Sequence, residues 1–243
     1  MKKKDYTKSH LHRGELYHDE FLNNVYRSTI WELEQEVLNK ILKIYFNDEL
    51  INNYLDFACG TGRIIKHFES STINSVGIDV SESMLNVAKK NCSKSKLLIG
   101  DLTHNDVLNN EQFDLITAFR FFPNAEESLR KQVADVLSTH IKKNGYLVFN
   151  NHKNSTSLYY RTKQIFKASN MKLGMSENEI MTFLKDTDLK VIKKFHIGLL
   201  PATDSKPMFG RKYLKKIEKI FMKLPSRIIC NMSQDVIYVC IKT

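Results

Sequence analysis

The sequence predicts an α/β fold: a doubly wound, mostly parallel sheet with helices on both faces and a helical cap ahead of the first strand. Three observations carry this. The run 51–55 leads into the glycine-rich stretch LDFACGTGR at 55–63 and then into a helical segment at 64–68, the strand–turn–helix order of the nucleotide-binding half of such a sheet. The stretch SVGIDV at 75–80 ends on Asp79 and is followed by Ser81, a favoured N-cap residue, with Met84 and Leu85 inside the next helix. Further strand-like runs at 96–99 (KLLI), 113–119 (FDLITAF) and 146–149 (YLVF) follow, with a helix-period segment at 126–140 between the last two.

In the glycine turn, Gly60 and Gly62 admit backbone dihedrals closed to other residues and, lacking a Cβ, let a ligand approach the main chain. The free N–H groups of the following helix then point at whatever binds. A dinucleotide fingerprint requires a third glycine three residues after Gly62; that position is Ile65, which disfavours NAD. Asp56 at the strand end would repel a pyrophosphate and suits an ammonium. An adenosine with an amino-acid tail fits these residues better than a ligand with two phosphates.

An acid followed by the turn Cys59-Gly60-Thr61-Gly62 resembles the first motif of the class I S-adenosylmethionine-dependent methyltransferases. The resemblance implies S-adenosylmethionine as cofactor, S-adenosylhomocysteine as product, and Asp56, Ala58, Gly60 and Gly62 in the cofactor site. It also implies a seven-stranded sheet in the order 3-2-1-4-5-7-6, strand 7 antiparallel, and it covers residues 50–150 well and the rest loosely. The chain divides accordingly into a helical cap (1–49), a cofactor-binding core (50–150) and an acceptor-side half (151–243) within one domain.

Bulk properties agree with one α/β domain. At 243 residues the chain can bury a good core, and composition is ordinary globular. Polar residues follow the basic start at once, so no signal-peptide apolar region is expected, and no run reaches membrane-spanning length. Cys59, Cys92, Cys230 and Cys240 have neither metal-ligand nor disulfide-framework spacing, which makes a reducing cytoplasm the expected compartment. The formal net charge of +10 is compatible with nucleic acid, an anionic surface or an acidic substrate, and equally with a solvated lysine-rich exterior.

Along the chain, residues 14–46 read as helical, with Leu16, Phe21, Leu22, Val25, Trp31, Leu33, Val37, Leu38, Ile41 and Leu42 at helix spacing. Such a segment would cap the cofactor cleft. By resemblance, Tyr17, Tyr26 and Arg27 reach the methionine carboxylate or the acceptor; as residues alone they read rather as half-buried packing. Asp79, 17 residues past Gly62, is placed to accept both ribose hydroxyls. GIDVSESML resembles the family's second motif, which puts Val80 and Met84 on the adenine face. The third strand ends at Gly100-Asp101-Leu102, and the family pattern gives Asp101 the adenine amino group and Leu102 the ring.

The fourth strand ends at Phe119 and runs into Arg120-Phe121-Phe122-Pro123-Asn124, where the transferred methyl is expected. Phe119 belongs to the cofactor set, and Arg120 is a candidate to hold an anionic acceptor or the cofactor tail, or else to form a structural ion pair. Lys143-Asn144-Gly145 reads as a turn before the fifth strand; Asn150, Asn151 and His152 follow at its mouth and are expected to face the acceptor. His152 is the general-base candidate, since an imidazole titrates near working pH. Residues 154–188 look helical and should cover the acceptor pocket. The strand at 189–200 should bend or break at Gly198, and a basic amphipathic helix at 211–224, between Pro207 and Pro225, separates it from the last strand at 236–241 as a lid, as a means of recognising an anionic acceptor, or as a solvated ornament.

The function expected is methyl transfer from S-adenosylmethionine to a hydroxyl of a small, sugar-like or otherwise polar acceptor, with an anionic acceptor compatible. The chain lacks the Asn- or Asp-Pro-Pro-aromatic motif of enzymes that methylate base nitrogens, and the Pro-Cys nucleophile used on cytosine carbon. An RNA methyltransferase remains the second reading on the strength of the charge, and a non-catalytic S-adenosylmethionine-binding interaction protein the third. No clear carboxylate set for a metal is present, and oligomeric state is not encoded in any motif.

Overall fold

The computed structural model describes residues 23–166, 174–200 and 211–243. The first described helix, α1 (Val25–Phe46), starts where the Asn24 side chain accepts the Arg27 N–H, and ends at Asn47 in the left-handed region (φ 52°). Tyr17 and the apolar positions before residue 23 lie outside the described residues.

Seven strands follow: β1 (Ile51–Phe57), β2 (Thr72–Asp79), β3 (Lys96–Ile99), β4 (Phe113–Ala118), β5 (Ile141–Asn151), β6 (Leu189–Ile197) and β7 (Asp235–Lys242). They form one sheet in the order β3-β2-β1-β4-β5-β7-β6. The β1–β2, β1–β4, β2–β3 and β4–β5 pairs are parallel, and β7 lies antiparallel between β5 and β6. This is the expected doubly wound topology. Period-two alternation splits the side chains between two cores. Leu55, Phe57, Leu147, Phe149 and Tyr238 belong to one. Tyr54, Leu115, Val148, Ile237 and Val239 face the other, together with Ile30, Leu33, Val37, Leu38 and Ile41 of α1.

The remaining helices are α2 (Arg63–Phe68), α3 (Glu82–Asn91), α4 (Glu127–His140), α5 (Leu158–Phe166), α6 (Glu177–Leu184), α7 (Arg211–Phe221) and α8 (Ser226–Met232). Ser81 caps α3 as expected. Among the described residues no helix is long and apolar enough to cross a membrane.

Three local expectations need correction. Lys143-Asn144-Gly145 is not a turn ahead of β5 but lies inside it, as an irregularity with Asn144 at φ 63° and a register shift opposite Phe113 and Leu115. A further one is met: the strand breaks at Gly198, which turns left-handed (φ 64°), so β6 stops at Ile197. Among the described residues of 154–188, none lines a pocket at the strand ends. The α6 side chains Ile180, Phe183 and Leu184 are buried in the core, with Phe183 stacked on Phe122 at 4.7 Å, because their apolar stripe finds its partner on the sheet. The late basic helix is more than a solvated ornament: α7 is docked on α1. Lys215 pairs with Glu32 (2.8 Å) and Glu36 (3.1 Å), Lys219 pairs with Glu36 (2.8 Å), and buried Glu218 accepts the Leu199 and Leu200 N–H groups at 2.9 and 2.8 Å. The short helix α8 behind Pro225 was not anticipated.

Candidate active site

A cavity of about 330 Å³ opens at the C-terminal ends of β1, β2, β4 and β5, where ligands bind in open α/β sheets. Its floor is the 58–62 turn. Ala58, Gly60 and Gly62 all take positive φ (54°, 55° and 80°), and a non-glycine residue held there carries strain of order 1–2 kcal/mol.

The two glycines do different work. A Cβ on Gly60 would meet nothing within 4 Å, so that backbone is open to the cavity it lines. A Cβ on Gly62 would lie 2.7 Å from Cys92 Sγ and 3.0 Å from Ala88 Cβ. Gly62 therefore serves the close approach of the turn to α3 and does not line the cavity, contrary to expectation.

The acids hold the turn from either side. Asp56 is buried; its Oδ2 accepts the Ile65 N–H (3.1 Å) and its Oδ1 the Thr117 hydroxyl (2.7 Å), which in turn meets the Tyr54 hydroxyl at 2.7 Å. One of the helix N-terminal amides expected to face a ligand is thus already occupied by Asp56. Burial raises the Asp56 carboxyl to about 7 against these hydrogen bonds and the nearby Arg63. Asp79 accepts the Gly60 N–H through Oδ2 (2.8 Å) and the Ser81 N–H through Oδ1 (2.9 Å), and burial raises it as well. The Val80 amide also donates to this carboxylate. Asp101 also lines the cavity; burial works to raise it, but the hydroxyl and amide of Thr103 outweigh that and hold it below its ordinary value.

Val80, Met84 and Phe119 line the cavity with Ala58, while Leu102 is buried in the adjoining core and does not. Arg27, Arg120 and His152 line it; Tyr26 packs on the α1-side core instead. Arg120 is a second strained non-glycine residue (φ 60°), its N–H donated to Asn150 Oδ1 at 2.7 Å. Nδ1 of His152 is buried with no hydrogen-bond partner among the described residues. Burial and the positive charges of Arg120, Lys153, Arg27 and Arg63 push this imidazole well below the usual histidine range.

Asn151 departs from expectation, since it is fully buried, exchanges hydrogen bonds with the Met175 backbone and faces away from the cavity. The reason is that β5 continues through residue 151, so Asn150 and Asn151 point to opposite faces. Asn150 is buried as well. Its amide nitrogen lies between Glu34 Oε1 (3.2 Å) and the Asp235 carboxylate (3.3 and 3.4 Å), and Glu34 pairs with Arg63. Arg63 also lies over the Trp31 ring at 4.2 Å. Burial and the neighbouring Glu34 raise Asp235 to about 7. Glu34, Arg63, Lys153 and Asp235 were not foreseen. One signal was present: Glu34 is the polar residue on the apolar stripe of α1, among Ile30, Leu33, Val37 and Leu38.

Comparisons with known proteins agree with this geometry. Residues 55–145, which hold the glycine turn and the three strand-end acids, match the family described as Methyltransferase domain. No curated protein sequence matches the chain significantly. Among solved structures it is similar to magnesium protoporphyrin IX methyltransferase from Synechocystis PCC 6803 with bound SAH (12% identity, TM-score 0.66, covering 95% of this chain and 96% of that one). It is also similar to a SAM-dependent methyltransferase from Archaeoglobus fulgidus (18%, TM-score 0.59, 94% and 99%) and to the N-methyltransferase NodS from Bradyrhizobium japonicum WM9 (14%, TM-score 0.54, 86% and 96%). At these identities the likeness is one of fold, and what the chain acts on has to be read from its own site.

Proposed function

We propose that the protein transfers the methyl group of S-adenosylmethionine to a hydroxyl of a small polar acceptor, with His152 receiving the hydroxyl proton. The observation that carries this is the pairing, across one cavity, of three strand-end acids with a buried imidazole that has an orphaned nitrogen. The acids suit the cofactor. In this reading Asp79 accepts the ribose hydroxyls, Asp101 accepts the adenine amino group, and Val80 and Met84 cover the ring. Asp56 stands near the ammonium, and Gly60 lets the chain approach without a side chain.

Bound S-adenosylmethionine supplies a methyl group on an already activated sulfonium, the carbon–sulfur electron pair staying with sulfur. The protein has to align the acceptor and exclude water. A hydroxyl must also lose its proton, and a neutral imidazole can take it. His152 is neutral across the physiological range because burial and the surrounding cations oppose its protonation. The RNA reading draws its support from positive charge, and two lysines of the late basic cluster, Lys215 and Lys219, are paired to α1.

The test is transfer of a labelled methyl group to pools of nucleotide sugars, glycan precursors, amines and RNA. Label in a base-stable ether of a small alcohol is expected, and His152→Ala should slow it about 100-fold with cofactor affinity unchanged. Label in RNA or amines only would replace this reading, and cofactor binding without transfer to any pool would favour a non-catalytic role.

A further inference from the structure

The connection between β6 and β7 leaves the sheet at the cavity's end. β7 is antiparallel to both β5 and β6, so β6 runs parallel to β5 and finishes, at Ile197, at the same end of the sheet as the cavity. Both α7 and α8 lie in that connection. Residues 211–232 carry seven lysines and arginines and a single acid, Glu218. That acid is buried against the Leu199 and Leu200 amides, so the segment shows solvent no negative side chain.

The charges of α7 divide between two faces. Lys215 and Lys219 reach α1, where Glu32 and Glu36 receive them, and Leu214 is buried beside that contact with Glu218. At about 3.6 residues per turn, Tyr213, Lys216, Ile220 and Lys223 fall within an arc of roughly 80° on the side away from Leu214 and Glu218. All four are exposed, Tyr213 to 67% and Ile220 to 56%. Directly after them comes α8, of which no residue is buried although it carries Ile228, Ile229 and Met232; Arg227 and Ile228 are fully on the outside. Beside α8 lies α5, which adds exposed Leu158 and Arg161 one helical turn apart.

The mixture of side chains selects the partner. A merely solvated face, or one built for the phosphates of RNA, has no use for Ile220, Ile228 and Leu158 among its cations. The boundary layer of a bilayer takes both kinds. Apolar side chains and a tyrosine ring enter the headgroup region, and the long lysine and arginine stems carry their charges to the lipid phosphates. We infer that this face docks reversibly on an anionic membrane surface, with Tyr213, Ile220 and Ile228 entering the interface and Lys216, Lys223 and Arg227 meeting the headgroups. The inference stands whatever the cavity methylates, and it sets the cavity's end of the sheet at the lipid surface.

The test is co-sedimentation of the full chain with vesicles of phosphatidylcholine alone and with vesicles in which roughly a third of the lipid is phosphatidylglycerol. Partitioning onto the anionic vesicles at low salt is expected to exceed that onto the neutral ones about 50-fold or more, and to fall as added salt screens the surface. Each cation at such a surface contributes about fivefold, so Lys216→Gln, Lys223→Gln and Arg227→Gln together should lower partitioning about 100-fold. With the charge left intact, Ile220→Ser and Ile228→Ser together should lower it about tenfold. Both variants change only exposed side chains and should keep the parent's melting temperature. Anionic vesicles bound no better than neutral ones, or bound equally by parent and charge variant, would overturn the inference. Full binding retained in the isoleucine variant would overturn it too, since charge attraction alone would then suffice. Binding to RNA but not to vesicles would assign the face to nucleic acid instead.

Discussion

Asp79 shows how one side chain serves two purposes. Its carboxylate braces the turn through the Gly60 and Ser81 amides at 2.8 and 2.9 Å and, in the proposed role, accepts the ribose hydroxyls. Asp79→Ala should weaken S-adenosylmethionine binding by about 2 kcal/mol, since charge-assisted bonds to two hydroxyls are lost. The same change strands the Gly60 amide, so the unliganded protein should also melt earlier. Calorimetric titration and thermal melting read the two effects separately, and an unchanged cofactor affinity would remove Asp79 from the site. The strand-end acids were legible because each stands next to an apolar run that announces where the strand stops. The roles of Gly62 and Asn151 were not. Whether a glycine faces a ligand or a neighbouring helix depends on α3, which the turn's own residues do not describe, and one extra residue of β5 decides which way Asn151 points.

At the scale of elements, the informative pairs are those that meet across long sequence separations. The helical character of α7 follows from its apolar period, yet its partner was invisible. Nothing local in 211–224 encodes Glu32 and Glu36 on α1, or the Leu199 and Leu200 amides that Glu218 receives. Glu218→Ala would leave two amides at the exit of β6 without their acceptor and should destabilise the fold by about 2 kcal/mol. Chemical denaturation should show this as a lower midpoint, while transfer rates at saturating substrate stay near those of the parent, because among the described residues no side chain of α7 lines the cavity. A large loss of turnover without a loss of stability would instead make α7 part of the catalytic apparatus. The C-terminal strand ends of the cofactor half were readable to within a residue or two, since turn signals follow the apolar runs there, while β2 and β5 begin earlier than those runs, at Thr72 and Ile141. The acceptor half was read less well, because α6 and α7 answer to packing partners that no periodicity names.

For the whole molecule, two buried acids contribute to the response to pH in one direction, against the buried His152, whose depressed imidazole contributes in the other. Asp56 and Asp235 are each raised from the ordinary aspartate value to about 7, chiefly by burial, with Glu34 adding to the effect at Asp235. Between roughly pH 4 and 7 the folded protein therefore holds protons at these positions that the unfolded chain has released. Their contribution to stability is then greatest at the acid end of that window and is lost as pH rises through it. Thermal melting of the unliganded protein, followed from pH 5 to pH 8, should show a declining contribution, and Asp235→Asn should flatten the slope. A melting temperature that rises through this window in the parent and is unaltered in the variant would contradict the assignment. The sheet order itself needed no structure to anticipate, since the motif resemblance implied it. The polar knot of Glu34, Asn150 and Asp235 did, because its members are separated by 116 and 85 residues and meet only in three dimensions.

That knot imposes an order on assembly. Asp235 opens β7, which follows β6 in the chain yet inserts between β5 and β6. Until that insertion Asn150 lacks one of the two carboxylates that orient its amide, and the left-handed peptide at Arg120 leans on an unanchored support. A nascent polypeptide can thus finish its adenosine-side half early, while the pocket's opposite wall sets only when the last hairpin is threaded home.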